Sequence, residues 1–234
     1  MKKRTAGLTA LLMTLACQGN PTGPDNAPVL PTAWAPAVSN QYFPLVPGTT
    51  FEFAGRTANG PETVTVAVLR ETKTINGVVA TVVRDRVFLN GALKEDTIDW
   101  YAQDNLGNVW YLGEAVKDYQ NGQVVSTEGS FQWGVDGALP GIIMWADPLG
   151  HVGVEYRQEY YKGHAEDYAK VLAGGQAVAV PAGSYSGCIK IEEWNALKNE
   201  PHTSKSYCPQ VGIALETSAV SGGDRVELVR ITRP

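Results

Sequence analysis

Three carboxylates on one β-rich stretch are the residues best placed to do chemistry in this chain. They are Asp85, Glu95 and Asp99, all within residues 82–133. A fourth, Glu159, follows Arg157 on a later run of alternating Glu, Arg, Gln and Tyr. Carboxylates gathered from adjacent strands can hold a hard cation or share protons as an acid–base set. Asp85, Glu95, Asp99 and Glu159 are therefore the candidate catalytic groups. Glu95 and Asp99 are also candidate metal ligands, and calcium or another divalent cation is the cofactor that such oxygens suit. The plainer use of these residues is a cross-strand ladder on a solvated face, with Arg84 or Arg86 against Glu95 or Asp99.

A second group is His164, Glu166 and Asp167. It has metal-ligating types at close spacing, but His-x-Glu without a Pro-Cys-x-x-Cys partner is a weak zinc signal. A charged turn between strands explains it equally. The third group is aromatic. Trp100, Tyr101, Trp110, Trp133, Tyr156 and Tyr160, with Arg157 to orient a polar head, could line a pocket for an apolar ligand. Aromatics on strands also build ordinary core. The sequence contains no nucleophile elbow, Walker loop, His-Glu-x-x-His or dinucleotide glycine pattern. Ser184 and Ser186 have no His marked as their base, which disfavours a serine hydrolase.

These residues must be positioned by strands. Asn76-Gly77, Asn90-Gly91 and Asn121-Gly122 each separate two extended runs. Asn-Gly suits a type I′ turn, which needs positive φ at both central residues, so the centre of the chain reads as an antiparallel meander. Alternation on residues 95–103 puts Glu95, Thr97, Asp99, Tyr101 and Gln103 on one face and Asp96, Ile98, Trp100, Ala102 and Asp104 on the other. Polar residues on both faces of a central strand point to a polar lining inside a concavity. Residues 134–153 lose periodicity, and the apolar Leu139–Trp145 within them reads as a lid. On Val154–Tyr161, alternation places Glu155, Arg157 and Glu159 together. Ala165–Ala173 reads as a strand rather than a helix, bracketed by turns at Gly163 and Gly174-Gly175. Further strands complete an all-β single domain over 41–234, a strongly curved antiparallel sheet or open half-barrel.

The first 40 residues read differently. Residues 1–16 have a basic start, Lys2-Lys3-Arg4, then a short apolar run, the pattern of a secretory signal peptide. Cys17 after Ala16 is a candidate for lipidation, giving a membrane-anchored lipoprotein, periplasmic or at the cell surface. Residues 17–40, rich in Pro, read as a disordered tether. The chain carries a net charge of −5, and loss of the leader removes three basic residues and no acid. An acidic protein argues against nucleic acid as a partner. With Cys17 taken by lipid, Cys188 and Cys208 are left to pair in an oxidising compartment. Such a loop closure is worth about 3 kcal/mol in the chain-entropy model.

Three local patterns resemble a known group. They are Tyr42-Phe43-Pro44-Leu45 with Pro47-Gly48; Val180-Pro181-Ala182-Gly183-Ser184-Tyr185 followed by Cys188-Ile-Lys-Ile-Glu; and Tyr207-Cys208-Pro209-Gln210-Val211-Gly212-Ile213. Together they resemble poorly characterised bacterial exported proteins and lipoproteins of the TapB-like group. Those are similar in fold to LolA/LolB-type carriers, a curved sheet closed over an apolar concavity. The third pattern departs from the group's Ala-Pro-Gly-Val-Gly, and the helical lid of LolA is not visible. The resemblance implies a LolA-like or lipocalin-like half-barrel and an exported, lipid-anchored protein that binds a hydrophobic or amphipathic small molecule. The alternatives are a carboxylate- or metal-dependent hydrolase or lyase in the same concavity, and a structural envelope protein.

Overall fold

A computed structural model describes residues 28–219 and 223–234. The expected signal peptide and the lipidation candidate Cys17 lie outside the described residues. The described residues form sixteen strands and one short 3-10 turn, Pro148–His151. The first five strands are β1 (Thr50–Thr57), β2 (Gly60–Ile75), β3 (Val78–Leu89), β4 (Ala92–Gln103) and β5 (Val109–Ala115). Short pieces follow: β6 (Asp118–Gln120), β7 (Gln123–Ser126) and β8 (Phe131–Gln132). Then come β9 (Leu139–Met144), β10 (Glu155–Arg157), β11 (Glu159–Tyr160) and β12 (Asp167–Val180). Last are β13 (Gly183–Asn195), β14 (Thr203–Cys208), β15 (Gly212–Ser218) and β16 (Arg225–Thr232).

All these strands pair antiparallel; thirteen follow the order β10-β12-β13-β14-β15-β16-β1-β2-β3-β4-β5-β9-β11, while β6 pairs with β4 and β7, and β8 with β5. The first and last members of that order are neighbours in the chain, separated only by Gln158. The sheet therefore curls into a nearly closed barrel with one unsealed seam. At the seam a single segment changes partners. Tyr156 pairs with Ala169 on β12, while Glu159 pairs with Pro140 on β9. Gln158, at the changeover, donates its backbone N–H to the carbonyl of Asp167 at 2.8 Å. A Cβ on Gly141 would lie 2.3 Å from the Gln158 carbonyl oxygen, so only glycine lets β9 come this close.

The Asn-Gly corners form as expected. Asn76, Asn90 and Asn121 have φ of 49°, 53° and 53°, each followed by a glycine of positive φ. Other expectations are corrected. Leu139–Met144 is not a lid but strand β9, hydrogen-bonded to β5 on one side and β11 on the other. Its glycine marks a close approach between strands, not a break. Gly174-Gly175 is not a turn either. Strand β12 runs through it, and shifts in register against β13 between Val171 and Val178 absorb the glycines. Cys188 and Cys208 are joined by a disulfide across neighbouring strands β13 and β14, with Cα atoms 4.1 Å apart.

Residues 30–40, read from sequence as tether, lie on the barrel. Trp34 bridges to Asp104, and Ala35 donates its N–H to the Gln103 carbonyl at 2.8 Å. The Trp34 ring stands 6.1 Å from those of both Trp110 and Trp133. Proline richness prevents helix here, but three indoles offer enough apolar area to dock the segment. The chain then crosses one end of the barrel. Asn40 donates to the carbonyls of Gly107 and Trp145, at 3.0 and 3.1 Å. On the far side Gln210 donates its N–H to Gln41 at 2.7 Å, and the Tyr42 hydroxyl reaches the Gly187 carbonyl. The Tyr42-Phe43-Pro44-Leu45 pattern is thus a plug pinned to opposite walls.

Candidate functional site

Inside the barrel is a cavity of about 360 Å³. One part of its wall is apolar, with Phe43, Pro44 and Leu45 from the plug, Phe51, Phe53, Val66, Val83, Ile143 and Ile213 from the strands, and Val211 from the turn before β15. The rest is ionisable: Asp85, Glu95, Asp99, Glu114, Glu159, Asp167, Glu193 and Lys205, with Tyr101, Tyr111 and Tyr207. Seven carboxyl groups thus face one ammonium group.

Strand alternation explains much of this placement. On β4, Glu95, Thr97, Asp99 and Tyr101 all face inward. Asp96, on the other face, receives a bidentate hydrogen bond from Arg84, at 2.7 and 2.6 Å. The pairing read as an alternative for Glu95 and Asp99 therefore exists, but on the outer face and with Asp96. On β5 alternation fails. Tyr101 pairs with Tyr111 but Trp100 pairs with Gly113, so Leu112 is an extra residue. Gly113 has φ of 140°, and a Cβ there would lie 2.3 Å from the Phe131 carbonyl oxygen. This bulge turns both Tyr111 and Glu114 into the cavity, although they are three positions apart.

The inner carboxyls form a connected group. The Tyr111 hydroxyl lies 2.5 Å from Asp99 and 2.9 Å from Glu114. A phenol has one proton to donate, so holding both contacts draws on a proton of a carboxyl group. Glu114 is in turn hydrogen-bonded to Glu159. Burial, then the charge of Glu114, pushes Asp99 up to about 8; burial likewise pushes Glu114 up to about 8. Glu159 is raised well above the carboxylate range by burial, with Asp167 and Glu114 adding to it. Asp167 is raised to about 6 by burial and by Glu193. Asp99, Glu114 and Glu159 hold protons at neutral pH because they are desolvated and close to one another.

Across the cavity a different arrangement holds. Lys205 meets Glu193 at 2.6 Å. The same carboxylate accepts from Tyr207 at 2.9 Å and from Gln158 at 3.2 Å. Burial acts to lower Lys205, but Glu193 and Glu216 outweigh it and raise this group well above its ordinary value. Phe43 of the plug packs on this wall too, with its ring 5.1 Å from Tyr101 and 6.3 Å from Tyr207.

The sequence candidates therefore divide. Asp85, Glu95, Asp99 and Glu159 all line the cavity, as does Tyr101. Trp100 is on the opposite face of β4, under the Lys73 ammonium at 3.2 Å. Trp110 donates its indole N–H to Asp104 at 2.9 Å and, with Trp133, receives the docked segment. Tyr156 is buried against Trp145, 5.4 Å between rings. Arg157 pairs with Glu166 at 3.3 Å and lies over the rings of Tyr160 and Tyr168. None of these lines the cavity. Arg157 and Glu159 part company because the strand changes partners at Gln158. His164 stacks on Tyr161, and Glu166 faces Arg157, whereas Asp167 turns inward. So His164, Glu166 and Asp167 do not share a site. Among the described residues no three His, Cys, Asp or Glu side chains stand together as a metal ion requires.

Alternation could have found two of the residues that the sequence reading missed. Glu193 continues the buried series Ile189 and Ile191, and Lys205 has the parity of Tyr207. Glu114 and Tyr111 could not be found that way, because no sequence rule places the bulge.

No family model and no curated protein matches the chain. Among solved structures the chain is similar to a Bacteroides fragilis protein described as exported, with a YmcC-like fold. Identity is 13%, the TM-score is 0.46, and the match covers 83% of this chain and 100% of that one. It is also similar to a Parabacteroides distasonis protein described as a lipoprotein, at 13% identity and a TM-score of 0.45, covering 82% and 99%. Likeness at this distance carries nothing about activity.

Proposed function

We propose that this is an exported binding protein that holds an amphipathic small molecule inside its barrel. The observation behind the reading is the two-part cavity, apolar around Phe51, Phe53 and the plug and ionisable around Asp99 and Glu159. Its volume falls in the range of small-molecule sites. Burial of a hydrocarbon chain against these walls supplies affinity, at about 25 cal/mol per Å² removed from water. The polar groups set which head is accepted. A secretory leader and lipidation at Cys17 would place the barrel at the outer side of a bacterial membrane. The resemblance to LolA/LolB-type carriers fits the curved sheet, while the Phe43–Leu45 plug stands where a helical lid is absent among the described residues.

Native mass spectrometry of the full chain purified from a bacterial envelope tests this. The expected result is an added mass that extracts into organic solvent and is identified as an amphipathic molecule. Filling the cavity with Val66→Trp should remove it. A bare protein mass, together with no uptake of a hydrophobic dye by the unsubstituted chain, overturns the reading.

A second reading has one observation in its favour. Asp99 and Glu114, both pushed up to about 8, could deliver protons near neutral pH as a hydrolase or lyase requires. Turnover of ester or glycoside libraries, lost in Glu114→Gln, would favour it over simple binding.

A further inference from the structure

The interior holds a buried carboxyl oxygen with no counterpart, on Asp85, whose titration burial raises well above the carboxylate range, with Asp99 and Glu95 adding to it. Asp85 lies on β3 between Val66 of β2 and Thr97 of β4. Neither supplies a proton. Val66 has none to give, and the Thr97 hydroxyl is turned to Glu95, at 2.9 Å. The Asp85 Oδ1 is wholly buried and has no hydrogen-bond partner among the described residues. A buried acceptor without a donor costs about 1–3 kcal/mol, and more when it is charged. Such a group can accept from a donor that enters the cavity.

The character of that donor follows from the surrounding charges. The one ammonium group of the lining, Lys205, is already engaged with Glu193. Beyond Asp85, the carboxyls continue along the barrel. Glu62 is raised first by burial and then by Glu216, Asp224 and Glu95, so these four acids share one region. An incoming carboxylate or phosphate would find no free cation among the described residues of the lining and would oppose ionisation of every carboxyl around it. A neutral hydroxyl could donate to Asp85 but would do nothing to favour the charged forms of the raised carboxyls beside it. A divalent metal lacks three gathered ligands. An organic ammonium meets all the conditions: it donates up to three hydrogen bonds, carries positive charge, and tolerates aromatic walls such as Phe53 and Tyr101.

We propose that the cavity selects amphipathic amines, with the ammonium group donating to Asp85 beside Asp99 and Glu159, and the hydrocarbon chain lying on Phe51, Phe53 and Val66. This rests on the binding reading above and specifies its ligand. It also gives the carboxyl-rich interior a role: the groups are desolvated in advance, so a cation that enters meets oxygens already stripped of water.

Calorimetry on the full chain at neutral pH with octylammonium, octanoate, octan-1-ol and ethylammonium tests it. Octylammonium should bind about ten-fold or more tightly than octanol or octanoate, a difference of about one ion-paired hydrogen bond. Asp85→Asn and Glu159→Gln should each reduce that preference. Circular dichroism checks that both variants fold. If octanol or octanoate binds at least as well as octylammonium, the inference fails and the container stands. If ethylammonium binds as tightly as octylammonium, the cationic head stands and the amphipathic reading fails. If none of the four binds, both fail. An ammonium preference unchanged in both variants overturns the placement at Asp85.

Discussion

Two aspartates on one strand, three residues apart, behave in opposite ways. Asp96 faces outward and meets the Arg84 guanidinium, which holds its carboxyl below the usual range. Asp99 faces inward, and burial pushes it up to about 8. The outer face of β4 is built like an ordinary sheet surface there, with Asp96 matched across to Arg84 on the next strand. The inner face collects like charges with too few partners. A protein that needed only to fold would not gain from the second arrangement, since desolvated carboxyls oppose folding whenever they ionise. On the binding reading proposed above, the difference marks where the chain keeps free energy in reserve for a ligand.

The comparison can be broken most severely at the one matched pair inside. Lys205→Met should destabilise the fold by about 3 kcal/mol, because it leaves Glu193 buried without its cation. Lys205→Met with Glu193→Gln should recover most of that loss, measured by urea unfolding. Recovery of nothing would mean that Lys205 acts through packing alone.

A smaller effect of opposite sign is expected from Asp99→Asn. Asn keeps the shape and can still meet Tyr111, but it cannot ionise. The sign follows from proton binding. In the unfolded chain Asp99 and Glu114 release their protons at about pH 4. In the fold they keep them up to about 8. The native state therefore binds more protons between those values, and stability falls as pH rises from about 4 to about 8. Asp99→Asn should flatten this slope and raise stability at pH 8 by about 1 kcal/mol or more, with little change at pH 5. A variant less stable than the parent at both pH values would contradict it.

The mildest change is expected outside. The Arg84 side chain is 43% exposed, so solvent screens its pair with Asp96. Asp96→Asn should lose about 0.5 kcal/mol at pH 7, and less at high salt. Here the folded group titrates below its unfolded value, so its contribution is complete above about pH 4 and disappears as pH falls further. Thermal melts in low and high salt check both points.

The same two faces show what could be read in the sequence. Strict alternation on β4 separated Asp99 from Asp96 correctly, and the Asn-Gly corners placed the hairpins. Reading failed wherever the backbone broke its period. Leu112 is an extra residue, so Tyr111 and Glu114 turn inward together. The changeover at Gln158 sends Arg157 outward and Glu159 inward. Both events depend on glycines, Gly113 and Gly141, whose need is set by a distant carbonyl rather than by their neighbours in sequence. The docking of Trp34 was hidden for a related reason. Its partners, Trp110 and Trp133, lie far along the chain, and a Pro-rich segment has no period to reveal a buried side.

The most direct test is a carbon-13 NMR titration of the side-chain carboxyls of Asp85, Asp96, Asp99 and Glu114, repeated with saturating octylammonium. Without ligand, Asp96 should titrate below pH 4 and Asp99 and Glu114 near pH 8; with ligand, the inner groups alone should move down as the ammonium group favours their charged forms. Inner carboxyls that titrate near pH 4 in the free protein, like any surface acid, would contradict the account.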